Sequence, residues 1–210
     1  WIPADFIVMN PPFAPLVELN SEMRTQAQAW LGRSVSGRPD ISMAFVERAV
    51  RSVKERGVIG SLLPTSAFRL VSAERWRRSL AERVSMRCLA SLGEHRLFPY
   101  ATVDTGFLVA RKEGAASTSL TKILWCGEKA GGASSGLRAL RKFANAKAAD
   151  DPNSGWSLRN VQASMLLDGA NWQPRPGASV DALEHIQSAV ETTVGDIFEV
   201  KQGARAAPRA

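Results

Sequence analysis

The stretch ADFIVMNPPF, residues 4–13, decides how the rest of the chain is interpreted. Its apolar first half predicts a short strand, and Asn10, Pro11, Pro12 and Phe13 follow at the carboxyl end of that strand. In open α/β sheets, ligands bind just outside the carboxyl ends of strands. Each proline fixes φ and lacks an N–H, so the neighbouring carbonyls are held as acceptors without competing donors. An ordinary strand-to-helix turn with Asn10 as the helix cap explains these ten residues equally well.

Length and charge set the broad class of the protein. The chain has 210 residues, with 27 Lys and Arg against 20 Asp and Glu, a formal net charge of +7. This balance favours an acidic partner, with nucleic acid as the leading candidate. Much of the excess is arginine on predicted exposed helix faces, where a solvated surface is the commoner explanation. These arginines are Arg75, Arg77, Arg78 and Arg83.

Cysteine usage and hydropathy exclude several other classes. Cys88 and Cys126 each lie in an apolar run, which predicts two buried thiols in a reducing compartment rather than a disulfide or a thiolate metal site. No apolar run approaches the length of a membrane span, and no signal peptide is visible. We therefore expect a cytoplasmic protein with no membrane contact and no bound metal.

The order of predicted elements indicates an α/β fold. After the first strand, residues 15–37 are mixed and polar, a helix runs from the cap Asp40 to Gly57, and the remaining elements are a strand at 58–63, a helix at 73–83 and strands at 84–92, 103–111 and 121–125. The connection 93–102 is too short for a crossover helix, so the strands it joins should pair antiparallel. We expect the C-terminal half of a doubly wound, mostly parallel, Rossmann-like sheet with an antiparallel edge strand.

The last third of the chain predicts a change of domain. A helix is expected over 133–149, and residues 150–179 are rich in Pro, Gly, Asn and Ser, which is typical of a linker. A helix at 180–191 and a strand at 197–200 then begin a second domain. Because the chain meets a strand almost at once and stops without a closing element, we expect it to be an interior piece of a longer protein.

Four segments, in this order, resemble the amino-group methyltransferases that modify adenine N6 in DNA. The segments are NPPF at 10–13, DISMAFVERA at 40–49, GVIGSLLPTSAF at 57–68 and LFPYATVDTGF at 97–107. The resemblance covers residues 4–112 and is to the type II, type IIG or phage-defence arrangement, in which a target-recognition domain follows the catalytic domain. It implies the end of a catalytic domain over 1–149, a linker over 150–179 and the start of a recognition domain over 180–210.

The resemblance also implies a role for each site residue. Asn10, Pro11, Pro12 and Phe13 form the catalytic turn, in which the Asn10 side-chain oxygen and the Pro11 carbonyl accept the two amine hydrogens. Asn10 and Phe45 contact the cofactor, S-adenosyl-L-methionine. Phe13 and Phe98 stack on an adenine that is flipped out of double-stranded DNA. For Phe45 and Phe98, an ordinary core aromatic is the alternative.

The chemistry explains why an amide suits this reaction. The lone pair of an exocyclic adenine amine is delocalised into the ring, so the enzyme must turn it toward the methyl group with hydrogen-bond acceptors. Asparagine accepts without titrating, and loss of the proton can follow attack. No histidine base is then required, and we interpret His95 and His185 as structural or surface residues.

Two features leave other functions open. The glycine-rich cofactor loop and the acidic ribose ligand of the family fall outside this sequence, so we expect the isolated fragment to be inactive. An endonuclease or a defence-complex subunit is an expected partner in addition to DNA. The alternatives are a methyltransferase that acts on protein glutamine or ribosomal RNA, and a catalytically incomplete DNA-binding module.

Overall fold

The computed structural model describes residues 2–32, 39–93, 103–114, 119–128, 131–142, 149–151, 153, 155–170, 172–190 and 192. The chain divides into two compact units, Trp1–Gly177 and Ala178–Ala210. The helices are α1 (Ser21–Leu31), α2 (Ile41–Ser52), α3 (Ser66–Arg69), α4 (Glu74–Arg83), α5 (Gly132–Lys142) and α6 (Gly177–Ala189). The strands are β1 (Ala4–Met9), β2 (Val53–Pro64), β3 (Ser85–Ser91), β4 (Thr105–Arg111), β5 (Leu120–Cys126), β6 (Ala149–Asp151) and β7 (Trp156–Gln162).

All the described strands belong to one seven-stranded sheet with the order β1-β2-β4-β3-β5-β7-β6. β1 pairs parallel with β2, and β3 pairs parallel with β5, whereas β4 and β7 run antiparallel to both of their neighbours. Five of the seven described strands therefore point in one direction. The predicted mostly parallel, Rossmann-like α/β fold is confirmed.

The sequence predicted that the antiparallel strand β4 would lie at the edge of the sheet. This expectation is wrong, since β4 lies inside the sheet. β4 lies between β2 and β3, with Gly60 opposite Val109 on one side and Leu89 opposite Leu108 on the other. The sequence GFLVA within β4 lacks the charged residues that protect an exposed sheet edge. An interior position buries this apolar strand and satisfies its backbone on both sides.

Two apolar clusters cover the two faces of the sheet. Helices α1, α2 and α4 contribute to the larger cluster, together with Ile59 and Leu89 of the sheet. Helix α5 packs on the smaller cluster with Ala90 and Cys126. Leu89 and Ala90 are neighbours in β3, and successive strand residues point to opposite faces, so the clusters lie on opposite sides. This arrangement agrees with the doubly wound prediction.

The two cysteines are buried free thiols, as predicted. Burial raises the pKa of Cys88 to about 12 and that of Cys126 to about 11. Both thiols therefore remain protonated at neutral pH and fill space in the core.

The predicted boundaries around α2 are partly correct. Asp40 caps the helix, and its side chain accepts hydrogen bonds from the Ser42 backbone N at 2.8 Å and the Ser42 Oγ at 2.5 Å. The helix ends at Ser52 rather than at Gly57, because Val53 is already extended and pairs with Ala4. The polar segment 15–37 contains a helix, α1, which begins at the cap Asn20 and buries only Ala27 and Leu31.

The expected linker over 150–179 is wrong for most of its length. β7 pairs with β5 along seven residues, and Leu158 is buried in the smaller apolar cluster. Trp172 is also buried, and its Nε1 donates to the Leu166 carbonyl at 2.9 Å. Glycines in this segment make tight turns, with φ of +68° at Gly155 and +72° at Gly169. Residues up to 177 thus belong to the first unit, and the expected strand at 197–200 lies outside the described residues.

The predicted helix over 133–149 is shorter than expected, since α5 ends at Lys142 and β6 begins at Ala149. In the second unit, the described backbone forms most of α6. Among the described helices, none is long and apolar enough to cross a bilayer. In the same part of the chain, no group of three or more His, Cys, Asp and Glu side chains is arranged to hold a metal ion.

Candidate functional site

Asn10 lies directly after β1, at the carboxyl edge of the sheet. Met9 is opposite Ser61, and β2 continues three residues further to Pro64, so Asn10 stands beside the end of a neighbouring strand. The Asn10 side chain is exposed, and it makes no hydrogen bond to any of the described residues. Its amide is therefore available to an incoming group.

The turn after Asn10 is fixed to the start of α2. The Ile41 N donates to the Ala14 carbonyl at 2.9 Å, and the Leu16 N donates to the Pro39 carbonyl at 2.9 Å. A β-bridge between Pro15 and Asp40 lies between these two bonds. These backbone contacts join the turn to the start of α2.

The remaining residues of the turn differ in burial. Pro11 is buried, Pro12 is exposed and Phe13 is half-buried. The structure does not use Asn10 as a helix cap, since the next α-helix, α1, is capped by Asn20, whose Oδ1 accepts from the Met23 N at 2.9 Å. The simpler interpretation of Asn10 is therefore wrong.

Asp40 is the charged group closest in sequence to this backbone junction. Desolvation by burial raises the pKa of its carboxyl, and the hydrogen bonds from Ser42 oppose that shift. The carboxylate is thus held in place by the first turn of α2 at the expense of hydration.

Phe45 lies in the second turn of α2 and is half-buried. Trp30 of α1 contacts it edge-on, with ring centroids 5.7 Å apart and an interplanar angle of 79°. The Arg51 Nη2 of α2 donates a hydrogen bond to the Trp30 carbonyl at 2.5 Å. No sequence pattern pointed to Trp30, because the helix that carries it has a weak apolar pattern.

The loop after β2 lies at the same edge of the sheet as Asn10. Parallel pairing brings the carboxyl ends of β1 and β2 together, and the Thr65 N donates to the Asp104 carbonyl at 2.9 Å, which joins the end of β2 to the start of β4. Phe98, the predicted second stacking ring, and His95 lie outside the described residues. His185 is exposed on α6.

A wide groove lies away from this edge. A space of about 530 Å³ is lined by Asp5, Phe6, Arg56, Arg87 and Arg111, among others, and none of the predicted site residues contributes to it. Its walls come from the first halves of β1, β2 and β3 and from the second half of β4. The turn residues predicted from the sequence lie instead at the carboxyl edge of the sheet, around Asn10.

The arginines of α4 were expected on a solvated face, and one expectation is wrong. Arg75 and Arg78 are exposed, but Arg77 is fully buried. Burial lowers the pKa of Arg77, and the nearby carboxylates of Glu74 and Asp168 oppose that shift.

Arg83 is also less free than its position on the helix had led us to expect. It pairs with the buried Glu47 of α2, at 2.9 Å and 2.7 Å between the guanidinium nitrogens and the carboxylate oxygens. The exposed positive charge of α4 is therefore smaller than its sequence indicates.

Comparison with known proteins agrees with the resemblance predicted from the sequence. Residues 4–98 match the model of the Eco57I restriction-modification methylase family. The chain is 28% identical over 111 residues to the type II restriction enzyme and methyltransferase RM.Eco57I of Escherichia coli. The aligned region covers 52% of this chain and 11% of that protein. It is 29% identical over 110 residues to the type II methyltransferase M.BanIII of Aneurinibacillus aneurinilyticus, covering 52% of this chain and 19% of that one.

A solved structure extends the likeness of fold further along the chain. The type IIG restriction endonuclease BpuSI superposes with a TM-score of 0.60 over 88% of this chain and 22% of its own, at 18% sequence identity. The chain thus spans less than a quarter of the length of each of these three relatives. The predicted resemblance to methyltransferases of restriction-modification systems is confirmed.

Proposed function

We propose that this chain, whose residues 4–98 match the Eco57I methylase family, serves the transfer of a methyl group from S-adenosylmethionine to the N6 amine of adenine in DNA. It would act within a longer, cytoplasmic restriction-modification or defence protein. The observation that carries the proposal is the exposed Asn10 amide, which has no hydrogen-bond partner among the described residues, in a turn fixed to α2.

In this proposal, the catalytic turn orients the amine. The Asn10 side-chain oxygen and the Pro11 carbonyl each accept one amine hydrogen, which directs the nitrogen lone pair toward the methyl group. As the nitrogen becomes pyramidal and positively charged, both hydrogen bonds strengthen, so the turn stabilises the transition state more than the planar ground state. The prolines keep competing backbone donors away from these acceptors.

S-adenosylmethionine supplies an activated methyl group on its sulfonium. Of the described residues, Asn10 and Phe45 are the ones we assign to hold it. Phe45 fits this role because its ring is only half-buried while Trp30 supports it edge-on, which leaves apolar surface for a flat heterocycle. Asn10 fits because an amide can also donate to the cofactor while its oxygen serves the substrate.

The substrate base must leave the duplex to reach Asn10, and this costs a few kcal/mol. We assign Phe13 to stack on the flipped adenine, since its half-buried ring directly follows the two prolines. Phe98 keeps the second stacking role that the resemblance implies. Stacking on an aromatic side chain contributes about 1–3 kcal/mol per base, which is enough to offset the cost of extrusion.

The test compares two asparagine variants of the complete protein that contains this sequence. We expect Asn10→Ala to lower methyl transfer to DNA by about 10²–10³-fold, as is typical when a donor or acceptor aimed at the transition state is removed. Its affinity for S-adenosylmethionine, measured by calorimetry, should stay close to that of the unaltered protein. Transfer is followed with radiolabelled cofactor, and the product base is identified by mass spectrometry.

Asn20→Ala is the matched control, since it removes an exposed asparagine that caps a helix and lies outside the site. We expect a loss of stability of about 1 kcal/mol but an unchanged rate. Full activity of Asn10→Ala would overturn the catalytic assignment. Methyl incorporation into protein or RNA instead of DNA would replace the proposed substrate with one of the alternatives.

A further inference from the structure

A pair of apolar residues is presented to solvent at the carboxyl edge of the sheet. Leu70 and Val71 follow α3 in the loop after β2, and 46% and 81% of their surface is exposed. Single exposed apolar residues are common and need no explanation. Here two of them are adjacent, in a loop that lies at the same edge as Asn10.

We call Leu70 and Val71 the tip of this loop, and hydrogen bonds hold the backbone beside them in place. The buried Arg77 donates from Nη1 to the carbonyls of Leu70, at 2.9 Å, and Ala67, at 3.1 Å. The Leu70 N donates to the Ser66 carbonyl at 3.0 Å, and the Ala73 N donates to the Leu70 carbonyl at 3.1 Å. The tip is therefore ordered before any partner arrives, which lowers the entropic cost of inserting it.

The tip also packs against the anchor of the catalytic turn. Asp40 and Met43 of α2, together with Ala67 and Leu70, line a cleft of only about 20 Å³. That space holds about one water molecule, so the loop and the start of α2 are close neighbours. Pro39 and Ile41, just before and at the start of α2, make the hydrogen bonds to Leu16 and Ala14.

Positive charge flanks the tip on both sides. Arg69 precedes it and Arg75 follows it, both side chains are exposed, and neither has a carboxylate partner among the described residues. Arg78, by contrast, pairs with Glu74 at 3.1 Å. An apolar tip between two free arginines is complementary to a duplex, whose phosphates surround an apolar base stack.

We propose that Leu70 and Val71 form a wedge that enters the DNA where the target adenine leaves the stack, while Arg69 and Arg75 contact the flanking phosphates. This inference rests on the proposed function. A flipped base leaves a gap in the stack, and apolar side chains that fill such gaps offset part of the unstacking energy.

The test uses the complete protein and a short duplex selected from a random library by binding to the unaltered protein, so that the probe does not depend on methylation. In a series of duplexes, each adenine of the selected site is mispaired in turn. The position at which mispairing tightens binding marks the extruded base, because its pairing no longer has to be broken. We expect the double variant Leu70→Ser/Val71→Ser to bind the fully paired duplex about tenfold more weakly and the duplex mispaired at that position less than about twofold more weakly.

Leu120→Ser is the matched control. Leu120 is 49% exposed. It lies at the amino end of β5, and therefore at the end of the sheet opposite to the carboxyl ends of the parallel strands. We expect it to bind both duplexes as the unaltered protein does. An equal loss on both duplexes for the double variant, or the absence of any position at which mispairing tightens binding, would overturn the wedge. If Leu70→Ser/Val71→Ser instead binds DNA as the unaltered protein does while its free energy of unfolding is lowered, the wedge is overturned and the two side chains pack against protein.

The arginines are tested separately through the salt dependence of binding. We expect Arg69→Gln and Arg75→Gln each to reduce the slope of log K against log salt by about 1, as for the loss of one phosphate contact. An unchanged slope would remove the phosphate contacts from the proposal. If Asn10→Ala keeps full activity while Leu70→Ser/Val71→Ser loses more affinity for the fully paired duplex than for the mispaired one, the catalytic assignment fails and the wedge stands.

Discussion

Asn10 and Arg77 show two opposite treatments of a polar side chain in one fold. Asn10 is exposed and has no hydrogen-bond partner among the described residues. Arg77 is fully buried and donates to four backbone carbonyls, those of Ala67, Leu70, Gly169 and Ala170. The buried guanidinium is saturated with protein acceptors, whereas the amide that we propose for catalysis is left open to solvent.

The contrast extends to the segments around them. Residues 163–170 fold against α4 through Arg77, and Arg78 adds a hydrogen bond from its Nε to the Asp168 carbonyl at 3.0 Å. Trp76 and Trp172 pack together there, with ring centroids 6.3 Å apart. The turn at Asn10 is joined to α2 by backbone hydrogen bonds, so removing the Asn10 side chain leaves these bonds in place.

The largest effect on the free energy of unfolding is expected from Arg77→Met. The variant leaves the buried carbonyls of Ala67 and Gly169 without this donor and removes one hydrogen bond from the partly exposed carbonyls of Leu70 and Ala170. Each unpaired buried group costs about 1–3 kcal/mol, so we expect a loss of about 3 kcal/mol or more. Urea denaturation measures it. Arg75→Met, on the exposed side of the same helix, is the control and should change stability by less than about 0.5 kcal/mol. Similar values for the two variants would break the comparison.

A smaller loss is expected from Gly169→Ala. Gly169 has a φ of +72°, and an added Cβ would lie 2.5 Å from the Glu74 carbonyl oxygen and 2.7 Å from the Arg78 N. We expect a loss of about 2 kcal/mol, from left-handed strain together with the clash. Gly131→Ala separates these causes, since Gly131 has a φ of +80° but no atom within 4 Å of the added Cβ. Equal losses of stability for Gly169→Ala and Gly131→Ala would show that the backbone around Gly169 moves to relieve the clash.

Asp40 should give a smaller effect that depends on pH. Asp40→Ala removes the helix cap and should cost about 1 kcal/mol, whereas Asp40→Asn keeps a capping oxygen. Burial raises the folded-state pKa of Asp40 above 3.8, so the carboxylate form is disfavoured in the fold. Stability from this group is therefore present at low pH and is lost as the pH rises from about 3.8 through the raised pKa.

Denaturation across that pH range checks the sign of the effect. The stability of the unaltered chain relative to Asp40→Asn should fall as the pH rises. A rise over the same interval would mean that the Ser42 hydrogen bonds outweigh desolvation.

The smallest effect is expected from Asn10→Ala. Because the side chain is exposed and has no partner among the described residues, the free energy of unfolding should change by less than about 0.5 kcal/mol. Thermal and urea denaturation measure this value. A loss near 2 kcal/mol would make Asn10 a structural residue and would remove the contrast with Arg77.

Local sequence patterns predicted the elements that have strong periodicity or a clear cap. The strand before Asn10, the helix after Asp40 and the antiparallel pairing of β3 with β4 are all confirmed. Each depends on residues close together in the chain. The position of β4 between β2 and β3 depends on pairing over about fifty residues, and no local pattern encodes it.

Predictions from composition were wrong for two features, the linker over 150–179 and the exposed position of Arg77, because polar or flexible residues take part in packing there. Pro, Gly and Asn in 150–179 suggested a linker, but the glycines make turns that let β7 join the sheet and Trp172 reach the core. Arg77 was expected in solvent because arginine rarely lies inside unless it is paired. Its acceptors come from residues 67–70 and 169–170, and their approach is a property of the tertiary fold alone.

The central position of β4 constrains the order in which the sheet can assemble. During synthesis, β2 and β3 leave the ribosome before the strand that separates them, so the middle of the sheet cannot close until residue Arg111 has emerged. Pairings between distant residues slow folding, because loop closure precedes any gain from contact. A truncation that stops before β4 would leave two apolar strands with open edges, and such a fragment should aggregate rather than fold.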